Sequence, residues 1–554
     1  MNLIYTKKEE NNMNFFSFSI KKNILSGLTL GLVSIPLSLA LAISSGATPS
    51  QGIITAVWAG CLGALFGGSS FNIIGPTGAL SGILISYSLI HGYQYLPIIA
   101  ILSGLIILIC YFLKLDRYII FIPRSVINGF TIGIAFIIIL SQLDNALGLS
   151  STTKSANLLQ NSLASLKAFP LFRWDVFLIF FVCLCFIVIW NKTTPRIPSA
   201  ISITVIGIIF GIFINKYHII NHIPILADNY PQIKTTIFDF SHFSFSWKFL
   251  LQIDIWLISF TTAIIAILET LLSGQIADKI THTKFNRSRE VLGLAIANIG
   301  SGLMGGIPAT AALARTTLNI KSGATNKLSG IISSISAGVF CLFFFPLLKF
   351  LPLSVIAAIL VVVAISMVEK KHFIRLIENE RKSLFISITV AIITIFEDPI
   401  IGIISGSFLA LLIFVNRISH GQSEINFYNN KKLTQSILKN DLSTYKLSPA
   451  DVVVYNISGT LTYINMPAHL NAVTHIRNNK HIIISLQHSF YADSDGIDYL
   501  AEIIDILKET NKEIVIAGIN KEIKKLIVKE DFYKNKMING KIYADISQAL
   551  DDVL

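Results

Sequence analysis

Apolar runs at about 24–44, 51–68, 76–90, 95–114, 119–142, 174–191 and 198–214 are followed, after a mixed stretch, by runs at 253–275, 289–305, 309–320, 325–348, 353–369, 383–397 and 399–416. Seven runs precede the mixed stretch and seven follow it. A helix crossing a hydrocarbon core needs roughly 20 residues, so the third and tenth runs are too short to cross alone and predict half-helices meeting at mid-depth. After Arg417 the texture changes. Lys, Asn, Asp and Glu appear throughout, and the β-type runs Asp451–Ile457, His481–Leu486 and Glu513–Ala517 alternate with helical patterns at 466–479 and 496–511. That alternation predicts a soluble α/β domain of roughly 100 residues. The expected organisation is therefore a polar leader over 1–22, a membrane domain over 23–417 with repeats at about 23–215 and 250–417, a linker over 418–445, and the α/β domain over 446–554.

The two short runs share a device. In Gly302-Leu-Met-Gly-Gly-Ile-Pro-Ala-Thr-Ala-Ala-Leu-Ala-Arg-Thr316, Gly305 and Gly306 allow close backbone approach and argue against a continuous span. Pro308 suits a first helical position, because its missing N–H is one a first turn leaves unpaired. A helix is thus expected from Pro308, with the small residues Ala309 to Ala312 leaving its first amides uncovered. Such an end attracts anions. Gly75-Pro76-Thr77-Gly78-Ala79-Leu80-Ser81 repeats the pattern 308 − 76 = 232 residues earlier. One copy alone reads equally well as a helix-breaking loop between packed spans. Two copies at corresponding positions of two halves point to a transporter's midplane site.

Composition agrees with many spans: 554 residues, 53% hydrophobic, 14% charged, mean hydropathy +0.66. The net charge of +12 lies in short loops between apolar runs, at Lys114 and Arg117, Lys192 and Arg196, Lys279 to Arg289, Lys321 and Lys327, and Glu369 to Lys382. Connections 45–50, 350–352 and 397–398 are nearly free of Lys and Arg. By the positive-inside rule the charge sets topology and implies no nucleic-acid partner. It places the N-terminus inside and, after an even number of spans, the C-terminal domain on the same cytoplasmic side. An odd number of spans per half makes the repeat inverted. No cleavable signal precedes the first run, which is expected to be an uncleaved anchor. The five cysteines, Cys61, Cys110, Cys183, Cys185 and Cys341, lie within apolar runs without metal-ligand spacing and read as small buried hydrophobes. The α/β domain lacks a Gly-rich phosphate loop, so regulation or assembly is expected of it rather than catalysis. The outer segments at about 143–173 and 215–252 read as ordered caps without chemistry.

Glu269 is the acid inside the otherwise uncharged run Ile264–Gly274. An intramembrane carboxyl is costly unless paired, solvated or protonated, and is a functional candidate by default. It lies 269 − 36 = 233 residues after Pro36, close to the repeat offset, which places it at the equivalent of a first-span kink beside the site. Its bland alternative is a permanent ion pair with Arg315. Arg315 has its own alternative, a side chain snorkelling to the inner surface.

These residues together resemble the sulfate permease (SulP) family of anion transporters and exchangers, from about residue 20 to the C-terminus. The resemblance rests on Gly27-Leu-Thr-Leu-Gly-Leu-Val-Ser-Ile-Pro-Leu-Ser-Leu-Ala-Leu-Ala42, Leu65-Phe-Gly-Gly-Ser-Ser with Gly75-Pro76-Thr77, Glu269, and Gly305-Gly-Ile-Pro with Ala314-Arg315-Thr316. The tail is similar to a STAS domain, in Ile483-Ile-Ser-Leu and Asp493-Ser-Asp-Gly496. The resemblance implies a polytopic helical fold of fourteen segments, with a moving core (spans 1–4 and 8–11) and a gate domain (spans 5–7 and 12–14). It implies a small inorganic or carboxylate anion as substrate, no cofactor, a homodimer, and residence in the cell membrane, the inner membrane if bacterial.

By position the anion ligands become Thr77, Gly78, Ala79, Leu313, Ala314 and Arg315, with backbone amides doing most of the binding. Two departures bear on coupling. Leu37 stands where many members have Gln, and Glu269, Ser273 and Leu313 stand where sodium-coupled members pair an Asp with hydroxyls. The loss of a hydroxyl at Leu313 favours H+ over Na+ as coupling ion, with Ser273 left as a candidate cation contact. The rivals are sodium-coupled bicarbonate or dicarboxylate uptake, a nucleobase-type permease, and a sensor or scaffold whose output is the STAS domain. At Asp495 no phospho-switch is expected.

Overall fold

The structure, a computed structural model, describes residues 2–553 apart from 115–122, 150–157, 195–197, 218–221, 231–235, 241–249, 369, 398, 420–421, 431, 438–449, 474–475, 477–480, 509–512 and 530–541. The chain divides into two compact units, residues 1–407 and 408–554.

The apolar runs become helices, the last of them starting in the first unit and ending in the second. The first seven-segment half is α1 (Asn2–Ser44), α2 (Pro49–Phe66), the short strand β1 (Ile74–Gly75), α3 (Gly78–His91), α4 (Leu96–Phe112) and α5 (Arg124–Ser141), then, beyond α6 (Leu143–Leu147) and α7 (Leu158–Lys167), α8 (Trp174–Thr193) and α9 (Ser199–Tyr217). After α10 (Leu226–Asn229), the second half is α11 (Ile253–Thr281), α12 (Arg287–Leu303), β2 (Thr310–Ala311), α13 (Leu313–Lys321), α14 (Leu328–Leu348), α15 (Leu353–Met367), α16 (Lys370–Asn379), α17 (Arg381–Phe396) and α18 (Pro399–Ser419). Six of these helices are long and apolar enough to cross a membrane, among them Ile20–Ser44 of α1 and all of α11. At 1.5 Å per residue, α3 spans about 21 Å and α13 about 14 Å, against a core of about 30 Å, so both are half-helices. The stretch expected as a separate leader is helical and continuous with the first span.

Local chemistry explains the ends. Thr48 opens α2 with a capping box: its hydroxyl accepts the Gln51 N–H at 3.3 Å, while Gln51 Oε1 accepts the Thr48 N–H at 2.9 Å. Asn286 caps α12 by accepting the Arg289 N–H at 3.0 Å.

Packing repeats with partners exchanged between the halves. α4 lies on α12 and α11, and its counterpart α14 lies on α2 and α1; α5 lies on α17, and its counterpart α15 lies on α8. The outer stretches are tied to the spans by backbone and indole donors. Leu226 N–H donates to the Leu351 carbonyl at 3.0 Å, and Trp58 Nε1 to the Ile237 carbonyl at 2.7 Å.

The second unit carries a six-stranded sheet, in spatial order β4-β3-β5-β6-β7-β8, of β3 (Gln422–Asn429), β4 (Lys432–Ile437), β5 (Val452–Leu461), β6 (His481–Ala492), β7 (Glu513–Ala517) and β8 (Ile542–Tyr543). The β3–β4 and β3–β5 pairs are antiparallel, and β5 to β8 are parallel. Its helices are α19 (Met466–Val473), α20 (Ser494–Lys508), α21 (Lys521–Lys529) and α22 (Ile546–Val553). The period-two alternation sends Val453, Tyr455, Ile482 and Ile484 to the α20 face and Val452, Val454 and Ile483 to the α22 face. Two strands, β3 and β4, fall in the stretch 418–445 expected as a linker. There Ile425 and Phe427 are buried while polar residues alternate with them, and a two-strand pattern that polar reads as linker until a central strand pairs with it.

Candidate functional site

The two breaks meet as a two-stranded antiparallel ribbon, Ile74 opposite Ala311 and Gly75 opposite Thr310. Because the strands run oppositely, the chain leaves the ribbon into α3 and α13 in opposite directions, with both helix starts beside it. Neither start is capped by its own side chain. Thr77 and Ala312 are the residues preceding the helices, and neither makes a side-chain cap bond. First-turn amides at both starts thus keep their attraction for an anion.

The structure corrects one expectation. The second helix begins at Leu313, not at Pro308, and the two starts lie 313 − 78 = 235 residues apart rather than 232. Proline's fixed φ suits extended backbone as well as a first turn, so it marks the break without locating the helix. Residues 307 to 311 stay extended because side chains from other helices take their backbone groups. Asn298 accepts the Ala309 N–H at 2.8 Å and donates to the Ala309 carbonyl at 2.9 Å. Thr55 accepts the Ile307 N–H at 2.7 Å, Ser301 donates to the Ile307 carbonyl at 3.0 Å, and Thr270 accepts the Ala311 N–H at 3.1 Å. Within a membrane, irregular backbone persists only when satisfied in this way.

Glu269, half-buried in the middle of α11, is brought to the α3 start. The Thr77 hydroxyl donates to its Oε2 at 3.1 Å, and the Thr310 hydroxyl lies beside it. Thr310 in turn donates to the Ala266 carbonyl at 3.0 Å and lies 2.9 Å from the Thr270 hydroxyl. Ser273, one turn further along α11, donates to Thr316 at 2.9 Å, and Thr316 accepts the Ile73 N–H at 3.3 Å. Its hydroxyl thus braces α13 against the β1 entry.

Arg315 is the largest fully buried side chain of the described residues, at 2% exposure. Its Nη2 donates to the Ser38 hydroxyl at 3.0 Å, and its Nε has no partner. Nη1 passes so close over Gly75 that a Cβ there would lie 2.3 Å from it, so only glycine fits. Among the described residues no carboxylate lies within 4.0 Å of the guanidinium, so neither the permanent Glu269–Arg315 ion pair nor a snorkelling arginine describes this geometry.

Gly78 and Ala79 are buried, Leu313 is half-buried and Ala314 exposed. A Cβ on Gly78 would meet Ile138 of α5 at 2.7 Å and the Met367 sulfur of α15 at 3.1 Å, so these two helices close over the α3 start. Sequence reasoning missed Ser38, Thr310, Asn298 and Thr55. Asn298 carried a usable signal, an amide inside an apolar helix. Ser38 and Thr310 did not, since small hydroxyls are common in such helices and bond their own backbone.

In the second unit α20 begins at Ser494, and Asp493 Oδ1 accepts the Gly496 N–H at 2.7 Å. Ser494 and Asp495 are exposed.

The chain matches the model of the sulfate permease family over residues 20–390 and that of the STAS domain over 446–549. Among similar proteins, YvdB of Bacillus subtilis (strain 168) is 29% identical over 519 residues, 93% of this chain and 94% of that one. Bicarbonate transporter BicA of Picosynechococcus sp. (strain ATCC 27264 / PCC 7002 / PR-6) is 27% identical over 426 residues, covering 73% and 72% of the two chains. Sulfate transporter 4.1, chloroplastic, of Arabidopsis thaliana is 24% identical over 534 residues, covering 91% and 76%. Of solved structures, that of SLC26A9 superposes with a TM-score of 0.81 at 15% identity over 97% of this chain and 90% of that one, a likeness of fold. The transmembrane domain of a cyanobacterium bicarbonate transporter BicA superposes with a TM-score of 0.60 at 25% identity over 70% and 97%.

Proposed function

The chain belongs to the sulfate permease family, a family of multi-pass membrane transporters rather than enzymes, and from that premise we propose secondary active transport of a small anion, sulfate, bicarbonate or a similar one. In this reading the anion binds between the starts of α3 and α13, on the amides of Gly78, Ala79, Leu313 and Ala314, with Thr77 beside it and Arg315 supplying the charge. The observation that carries it is a buried guanidinium with one neutral partner and no carboxylate within 4.0 Å, next to two uncapped helix starts. A buried cation without a carboxylate in direct contact is costly, and an arriving anion lowers that cost. The names of relatives support the anion class, bicarbonate for BicA and sulfate for the Arabidopsis protein.

Transport by alternating access follows from the division of labour we assign. The core, α1–α4 with α11–α14, carries the anion past the gate helices α5 and α15, whose Ile138 and Met367 close over Gly78. Glu269 carries a coupled proton. It accepts the Thr77 hydroxyl and lies beside that of Thr310, so a proton gained or lost there changes the surroundings of both helix-start segments. The same hydroxyls favour a second reading in which Na+ sits among Glu269, Thr77 and Thr310, while Ser273 is engaged with Thr316. In the same reading both termini lie in the cytoplasm, which the basic inner loops favour, and the protein works as a homodimer. Radiotracer uptake into proteoliposomes tests the whole reading. A panel of sulfate, bicarbonate and a dicarboxylate is offered with and without proton and sodium gradients, to wild type and Arg315→Ala. Uptake of none of them, or undiminished uptake by the variant, refutes it.

A further inference from the structure

Glu290, in the first turn of α12, is 1% exposed, yet it faces the anion site of neither half-helix. Both of its oxygens are occupied. Oε2 accepts the N–H of Gly68 at 2.6 Å and of Ser69 at 2.7 Å, and Oε1 accepts Asn72 Nδ2 at 2.7 Å. The Lys327 ammonium donates to the neighbouring Gly67 carbonyl and adds its charge to the carboxylate's surroundings. The fit leaves no room for side chains. A Cβ on Gly67 would stand 2.9 Å from Oε2, and one on Gly68 would stand 2.0 Å from the Asn286 carbonyl. Successive amides curled round one carboxylate form an anion nest, here filled from within the chain.

Asn72 extends this nest toward the site. The same Nδ2 donates to the Thr270 carbonyl at 3.1 Å, and Thr270 follows Glu269 on α11. Two residues beyond Asn72 the chain enters β1, which puts Gly75 under Arg315 and Thr77 against Glu269. One amide group therefore sets the β1 entry against both α12 and α11, with Glu290 orienting it. Resting on the anion-site reading above, we propose that Glu290 is a positioning residue for transport: its carboxylate fills the Gly68–Ser69 nest and, through Asn72, holds β1 in register with Glu269 and Arg315.

The geometry separates two variants. In Glu290→Gln the side-chain oxygen still accepts Gly68 and Ser69, but its NH2 meets the Asn72 NH2. If Asn72 flips to present Oδ1, that oxygen then faces the Thr270 carbonyl, so the link to α11 breaks while the loop stays anchored. The expected result, in full-length protein reconstituted into liposomes, is a rise in KM for the transported anion of about tenfold in Glu290→Gln and in Asn72→Ala. The double variant is no worse than either alone, because both cut one link. In Glu290→Ala the emptied nest binds formate, so millimolar sodium formate raises its melting temperature more than equal sodium chloride does, and more than in wild type.

A wild-type KM in Glu290→Gln, multiplying effects in the double variant, or a melting temperature of Glu290→Ala indifferent to formate would each overturn the proposal. Wild-type protein that carries no anion would sink the transport reading separately. The formate-dependent melting, and the coupling of the two positions measured on melting temperature, still decide the nest.

Discussion

Arg315→Met removes the buried charge while keeping most of the volume, and its expected signature is a divergence of stability from affinity. Arg315 makes one hydrogen bond to Ser38, leaves Nε unpartnered, and among the described residues has no carboxylate within 4.0 Å. Replacing such a charge by a packed apolar chain of similar length is neutral or stabilising, with precedents of about 1–4 kcal/mol for buried ionic groups. The anion, in contrast, loses a charge-assisted hydrogen bond worth about 1.5–3 kcal/mol, which is roughly a 10- to 150-fold weaker binding at 1.4 kcal/mol per decade. The assay is thermal unfolding of purified protein with increasing sulfate or bicarbonate, followed by uptake in proteoliposomes. Wild type should melt higher as anion is added. Arg315→Met should start at or above the wild-type anion-free melting temperature and respond little to anion. A large loss of stability without anion would mean that Arg315 is structurally paired after all. An unchanged anion response would mean that the charge does not bind it.

Glu269→Gln mimics the protonated carboxyl, so it should still exchange anion for anion yet lose accumulation driven by a proton gradient; sodium-dependent accumulation by wild type at fixed pH, lost in the variant, would assign the coupling to Na+ instead. Ser38→Ala deprives Arg315 of its bonded partner and should raise KM by about 2- to 10-fold with Vmax nearly unchanged, the worth of one modest hydrogen bond, and Ser38→Thr should restore it; an unchanged KM in Ser38→Ala would show that Ser38 does not aim the guanidinium. In the second unit, burial pushes the His469 imidazole down to about 4 from an ordinary 6.5, its Nδ1 lying 2.9 Å from the Tyr455 hydroxyl. The unfolded chain then binds more protons than the folded one between those values, so stability is full above pH 6.5 and falls by about 3 kcal/mol toward pH 4. Protection factors of the β5 to β7 amides, corrected for the intrinsic exchange rate at each pH, should fall over that window, and an equal fall in His469→Phe would remove His469 as the cause.

Much of the architecture was legible because it is written in short-range pattern. Apolar runs declare spans wherever backbone must be satisfied within its own segment. The Gly-Pro breaks declare two half-helices. The alternation after Arg417 declares a sheet through Val452–Leu461 and Glu513–Ala517. Glu269 stood out because hydrocarbon makes any carboxyl conspicuous. Only the tertiary structure decided the details that depend on partners far along the chain. The helix starts at Leu313 because Thr55 and Asn298, on other helices, hold the residues before it extended. Arg315 is aimed by Ser38, 277 residues away, and by the missing side chain at Gly75. Glu290 sits at the start of the apolar run 289–305, where nothing in the sequence singled it out, and its burial follows from amides 221 and 222 residues earlier. A sequence pattern records what a residue needs from water or lipid. Which distant groups meet that need is settled when helices pack, because contacts across hundreds of residues leave no period in the chain.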